Sequence, residues 1–204
     1  RSSISENKQM LAHGPSGSVW NVNSGGGGVA ANEHTAASFE HTSIILNTTQ
    51  GWGGGVYVRT PIGAVATTVL DMDFVTLYSN ASASTLGAAT GNVDLECTSG
   101  TCSLANSIVW GVCKFGVVTA AGSGNFEDSA KGAPTCGFGL FAPIGTVIVG
   151  KAGGNDTMVV ELTTGSPPVN AAIGTSCPLF PDFFDQRQLP RAGSVPCDMG
   201  AFEL

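Results

Sequence analysis

Charge is scarce in this chain of 204 residues: only 11% of positions are Asp, Glu, Lys or Arg, and just eight of those are basic. A disordered segment combines high net charge with little apolar content, and a chain that is 42% hydrophobic does not fit that description. The eight Lys and Arg are scattered. They form neither a basic stripe for nucleic acid nor a polybasic patch for a membrane surface, so neither partner is expected. Long apolar runs are also lacking. Stretches such as Gly145 to Gly150 are far too short to span a bilayer, so no membrane span is expected. Histidine is limited to three residues, with none beyond His41. The serines have no plausible His and Asp context and no Gly-x-Ser-x-Gly elbow, which argues against a serine hydrolase. The glycine runs at 25–28 and 53–55 are not followed by Lys-Ser or Lys-Thr, so they read as turns rather than phosphate loops.

What is abundant is small. Twenty-nine glycines, with many Ala, Ser and Thr, suit closely stacked strands joined by tight turns, and the length suits one well-buried domain. From Ser18 the pattern alternates as Val19-Trp20-Asn21-Val22, and a weak repeat follows. Gly26-Gly27-Gly28-Val29-Ala30 recurs as Gly53-Gly54-Gly55-Val56-Tyr57, and each copy leads to a β-branched strand ending near an asparagine, Thr42 to Asn47 and then Asp73 to Asn80. A degenerate third copy runs from Leu95 through the Cys97 to Cys102 loop to Trp110. Spacing of this kind marks stacked supersecondary units, none of which buries its apolar face alone. A β-sandwich with Gly-rich turns is the alternative. Residues 1–204 are therefore expected to form one domain: an N-terminal extension or cap over 1–17, with a short helix around Glu6 to His13; coils over 18–162; and a C-terminal tail over 163–204. Val56, Phe74 or Val75, Leu77, Ile108 and Val117 are the expected interior, and Asn47, Asn80 and Asn106 are expected near turns where stacked amides pair. The tail is expected to fold back over an exposed end of the coils.

The six cysteines, Cys97, Cys102, Cys113, Cys136, Cys177 and Cys197, do not follow the spacing of paired zinc knuckles. Of the fifteen possible connectivities the expected one is nearest-neighbour, Cys97–Cys102, Cys113–Cys136 and Cys177–Cys197, which implies an oxidising compartment. A chain starting at Arg1 with no hydrophobic leader reads as a processed, secreted piece. Asn47, Asn80 and Asn155 stand in glycosylation sequons, usable if the source is eukaryotic.

Two constellations could carry chemistry. Asp71 with Asp73, and Asp94 with Glu96, each place two carboxylates on one strand face. Stacked in adjacent coils they would gather four acids, as a calcium-assisted lyase or a glycosidase requires; without that, no cofactor is expected. The structural alternative is a solvated outer face. His34 and His41, flanking Glu40, admit a metal or acid–base role, though surface and turn histidines explain them as well. Trp20, Trp52, Tyr57, Tyr78 and Trp110 could line a sugar-binding face or simply pack between coils.

The least random stretch is the tail, Cys177 to Leu204. Its order of Asp185-Gln186-Arg187, Pro190-Arg191 and Cys197-Asp198-Met199-Gly200-Ala201-Phe202-Glu203 resembles the C-terminal signature, DQRG-x-PR…CDIGA[FY]E, of secreted right-handed parallel β-helix proteins of pectate-lyase-like fold, some of them surface-anchored. Upstream, Ser166-Pro167-Pro168-Val169-Asn170-Ala171 resembles the SPAIDAG segment of that family, and Asn106 to Gly111 resembles a late-coil strand. Gln188 stands where the family has glycine, and Asn170 where it has aspartate. The resemblance, together with the repeat, implies an all-β fold: a right-handed parallel β-helix, or solenoid, with a disulfide-clipped C-terminal cap. Asp185, Arg187, Arg191, Asp198 and Glu203 are read as ion pairs holding that cap. The expected role is an extracellular, non-catalytic structural or adhesive protein that associates with itself through coil ends or strands, with surface glycans as further partners. The alternative is a carbohydrate-active enzyme acting on acidic polysaccharide through Asp71, Asp73, Asp94 and Glu96. The motifs of galacturonases, a Gly-His-Gly triplet and an Arg-Ile-Lys run, are absent from the sequence.

Overall fold

The computed structural model describes residues 2–5, 8–9, 26–32, 36–60, 68–82, 93–98, 100–115, 118–119, 124–128, 135–138, 140–143, 148–151, 158–172, 184–187, 189–191 and 196–202. Among them every regular element is a strand. In chain order these are β1 (Ser2–Ser5), β2 (Lys8–Gln9), β3 (Val29–Asn32), β4 (Ala36–Glu40), β5 (Thr42–Ile45), β6 (Thr48–Thr49), β7 (Val56–Arg59), β8 (Val69–Asp73), β9 (Thr76–Tyr78) and β10 (Ala81–Ser82). There follow β11 (Val93–Cys97), β12 (Thr101–Ala105), β13 (Ile108–Val109), β14 (Val112–Phe115), β15 (Val118–Thr119), β16 (Phe126–Asp128), β17 (Leu140–Ala142), β18 (Ile148–Lys151) and β19 (Met158–Glu161).

The strands are short because small and β-branched residues are interrupted by corners, and the corners recur. Consecutive strands β3, β4, β5 and β6 lie in four different sheets, and β7 to β10 pair beside them in the same order. The sheets run β14-β11-β7-β3, β15-β12-β8-β4, β1-β5-β9-β13-β16-β17 and β10-β6-β2, and all of their pairings are parallel. Only β18 and β19 pair antiparallel among the named strands. The Gly-rich repeat maps onto this register: Val29 lies opposite Val56 and Ala30 opposite Tyr57.

Corner geometry explains how single residues turn the chain. His41, Phe74 and Asn106, each between a strand of the four-stranded β15-β12-β8-β4 sheet and one of the six-stranded sheet, have φ of 47°, 51° and 46°. Leu46 and Ser79 repeat the device one corner later, at 56° and 52°. Left-handed backbone costs a side-chain-bearing residue about 1–2 kcal/mol, least for Asn. At Phe74 stacking offsets it: the His41 ring lies 5.2 Å away and nearly parallel, and the Arg191 guanidinium sits 4.3 Å from the Phe74 centroid.

Two cores result. The main one takes one face of the strands from β3 to β14 that line it: Ile44, Val56, Val58, Leu70, Met72, Val75, Leu77, Leu95, Leu104 and Val109 are all fully or almost fully buried in it. The second lies outside the six-stranded sheet, where Phe74, Ile108 and Phe126 pack against Leu162, Ala172, Cys197 and Met199 of the tail. A parallel sheet needs cover on both faces, and the tail supplies it here.

Several expectations change. Residues 2–5 and 8–9 pair as strands with β5 and β6, so Lys8–Gln9 is extended where a helix was expected. Of Phe74 or Val75 it is Val75 that lies inside, with Val56 and Leu77 as expected, while Ile108 faces the second core with Phe74, because the strand period places Val109 inward. Val117 lies outside the described residues. The tail, where described, does not cover an end. It crosses the six-stranded sheet: Ser43 Oγ in β5 donates to Gln186 Oε1, Ala201 N donates to Thr76 Oγ1 in β9 at 2.9 Å, and Gly200 N donates to Asn106 O before β13 at 2.7 Å. One end of the main core is instead plugged by residues 135–138. Cys136 and Phe138 are buried there, and Cys113 is bonded to Cys136.

Candidate functional site

The four candidate acids do not converge. Asp71 and Asp73 lie on β8, between β4 and β12, whereas Asp94 and Glu96 lie on β11 in another sheet, between β7 and β14. Asp71 is exposed and Asp73 half-buried, but Asp94 and Glu96 are buried. The register of β11 with β14 passes from Val93 opposite Val112 to Leu95 opposite Cys113, leaving Asp94 as the extra residue of a bulge. A bulge re-aims its side chain, and this one brings the Asp94 carboxylate into a corner.

There it ends a ladder. Asn47 Nδ2 donates to Ile4 O at 2.8 Å and to Asn80 Oδ1 at 3.0 Å, and Asn47 N donates to the same oxygen. Asn80 N and Nδ2 both donate to Asp94 Oδ1 at 2.7 Å, Nδ2 also donates to Ile44 O, and Gly111 N donates to Asp94 Oδ2 at 2.6 Å. The expected amide stack therefore forms with Asn47 and Asn80. Asn106 belongs to a different corner, where its amide reaches Asp73 Oδ1 at 3.4 Å. Asn47 and Asn80 are wholly buried with their amide nitrogens engaged in this ladder, so neither sequon is open to a glycan in the folded chain. Asn155 lies outside the described residues.

Glu96 and Glu127 are used alike. Glu96 Oε2 accepts Gly53 N at 2.8 Å; burial pushes its pKa up, against the pull of that N–H and of Lys114 opposite it. Glu127, which the sequence reading missed, stands at an inward position opposite Val109. Its Oε1 accepts Thr135 N at 2.6 Å and Thr135 Oγ1 at 2.8 Å, and its Oε2 accepts Cys136 N at 2.9 Å, pinning the plug. The local sequence, Asn125-Phe126-Glu127-Asp128-Ser129, carries no apolar alternation that would have singled it out. Asp73 is also raised, chiefly by burial and further by the Glu40 carboxylate across the strand pair. The Asn106 amide, the Phe74 N–H and Arg191 oppose the shift.

His41 is buried and stacked on Phe74, a packing role; Glu40 is exposed at the end of β4; His34 lies outside the described residues. Among the described residues no three His, Cys, Asp or Glu side chains gather to hold a metal. Of the aromatics, Tyr57 is buried, Trp52 half-buried at a corner, and Trp20 outside the described residues. Tyr78 and Trp110 come together, ring centroids 4.8 Å apart and inclined by 56°. The Tyr78 hydroxyl is held above its ordinary pKa by burial and then by Asp94 and Asp128.

In the tail, Arg187 Nε donates to Asp185 Oδ2 at 2.7 Å, Nη2 approaches the same oxygen at 2.6 Å, and the guanidinium lies 3.7 Å from the Phe202 centroid. Arg191 Nη1 donates to Asp198 O at 2.9 Å, and Nη2 donates to Gly200 O. Asp198 Oδ1 accepts Asn170 N at 2.7 Å. Glu203 lies outside the described residues. The disulfides Cys97–Cys102 and Cys113–Cys136 are formed, and Cys197 is disulfide-bonded; Cys177 lies outside the described residues.

The class so defined is an all-β, parallel-sheet protein stapled by disulfides, which indicates an oxidising environment. No family model, curated protein or solved structure matches the chain.

Proposed function

We propose that this protein is an extracellular, non-catalytic structural or adhesive component built as a right-handed parallel β-helix, and that it associates with copies of itself through the ends of its strand stack. The cyclic order in which the chain visits four sheets supports the winding, since each corner brings the next strand beside its counterpart one turn earlier. The observation that carries the functional reading is the use of the buried carboxylates: Asp94, Glu96 and Glu127 all accept backbone N–H groups. They hold corners and a plug.

The ends differ. Residues 135–138 close one, whereas at the other Ile4, Val29, Ala37 and Phe39, from the first strands of three sheets, reach the main core while still half-buried. A half-covered apolar end bordered by strand edges favours pairing with another copy. Sedimentation of the wild type against Phe39→Glu tests this. Concentration-dependent association that is lost in the variant is expected, and a wild type that stays monomeric at high concentration contradicts it.

A second reading has one observation in its favour. Asp73, raised in pKa and opposite Glu40, forms an acid pair on an outer sheet face of the kind a carbohydrate-active enzyme uses. Activity on polyuronides that disappears in Asp73→Ala, with circular dichroism unchanged, supports it; inactivity across acidic and neutral polysaccharides with calcium present removes it.

A further inference from the structure

Leu77 and Val109 point into the main core, so their neighbours Tyr78 and Trp110 point outward from the six-stranded sheet. The register continues the row: Val109 lies opposite Glu127, which places Asp128 beside Trp110, and Asp128 lies opposite Ala142. Tyr78 and Trp110 are each half-buried, and their rings pack on one another at an inclined angle on that outer face, leaving part of each ring open to solvent. Trp110 leans on the second core, which fixes its plane. Behind the rings stand two buried carboxylates, Asp128 in the same row and Asp94, bonded to Asn80 two residues beyond Tyr78.

We propose that Tyr78 and Trp110, with Asp128 and Asp94 behind them, form a binding site for a ligand bearing an alkylammonium group, best a quaternary one. The rings present negative faces to a cation, and the carboxylates add to the field from a region shielded from water. The raised pKa of Tyr78, owed in part to those two acids, is consistent with a local negative potential. Because the acids are buried, with Asp94 already accepting three hydrogen bonds, they offer the ligand field more than hydrogen bonds. That favours a group that needs charge and has no hydrogens to donate. A neutral sugar needs accessible acceptors for its hydroxyls, and a polyanion is repelled. The site goes beyond the structural reading above and stands whether or not the protein self-associates.

Titration of the intact protein with tetramethylammonium chloride, followed by ligand-observed NMR against matched sodium chloride, tests the site. Saturable binding is expected. Tyr78→Leu or Trp110→Leu, each checked for an unchanged melting transition, is expected to weaken it about threefold to thirtyfold, the range typical of a cation over an aromatic face. Tyr78→Phe keeps the ring and is expected to retain binding. The proposal is overturned by the absence of saturable binding, by binding that survives both leucine variants, or by tighter binding of a neutral hexose than of tetramethylammonium.

Discussion

At the scale of single residues, Asp94 is the position on which most depends. Its carboxylate accepts Asn80 N, Asn80 Nδ2 and Gly111 N inside the protein. Each buried donor left without a partner costs about 1–3 kcal/mol, so Asp94→Ala is expected to lower stability by at least about 3 kcal/mol in urea unfolding. Asp73 makes a different prediction. Its folded pKa lies above the ordinary 3.8, so the native chain keeps this proton where the unfolded chain has released it. Stability from this group is complete below pH 3.8 and is lost as pH rises through the folded value. Asp73→Asn, which keeps the shape and loses the charge, is expected to match or exceed the wild type at pH 7 and to lose that advantage at pH 3. Glu96 shifts in the same direction for the same first reason, burial. Little of this was legible in the sequence. Period two correctly places Asp71 and Asp73 on one strand face, but the bulge that turns Asp94 into the ladder leaves no mark in the local pattern. Asn47 and Asn80 show the same limit: the sequon and the ladder asparagine are identical as letters, and only burial separates them.

At the scale of elements, the repeat was readable because each corner needs the same backbone. Gly55 shows why: a Cβ there would lie 2.6 Å from Asp94 O and 2.8 Å from Asn80 Nδ2, inside the ladder. His41, Phe74 and Asn106 occupy matched left-handed positions with three unrelated side chains, so that corner is hidden from propensity and set by stacking and the tail. The two described disulfides close loops of unequal length, with sequence separations of 23 for Cys113–Cys136 and 5 for Cys97–Cys102. Loop entropy assigns about 3 kcal/mol to the first and about 2 kcal/mol to the second. Replacing the Cys113–Cys136 pair by serine is expected to lower the urea midpoint more than replacing the Cys97–Cys102 pair. The larger effect also reflects the plug, whose N–H groups Glu127 holds.

At the scale of the whole molecule, the tail acts as a strap. Residues far apart in sequence, Ser43 with Gln186 and Thr76 with Ala201, are joined across the six-stranded sheet, and a second core fills the space between. The tail's composition made it recognisable as a fastening, while its destination depended on Phe74 and Ile108 facing outward, which alternation alone left open between Phe74 and Val75. Arg191 donates to two carbonyls of the strap and stacks on Phe74, so Arg191→Ala is expected to speed protease cleavage within 184–202 while the main core stays protected. A body held by buried carboxylates and stapled by disulfides is consistent with the scaffold role proposed for it in an oxidising setting. The most direct measurement is electron microscopy of the purified protein at near-physiological salt. Particles joined end to end, as pairs through the end formed by β1, β3 and β4 or as fibres with a repeat of one protomer, are the expected result; dispersed single particles at high concentration would contradict the account.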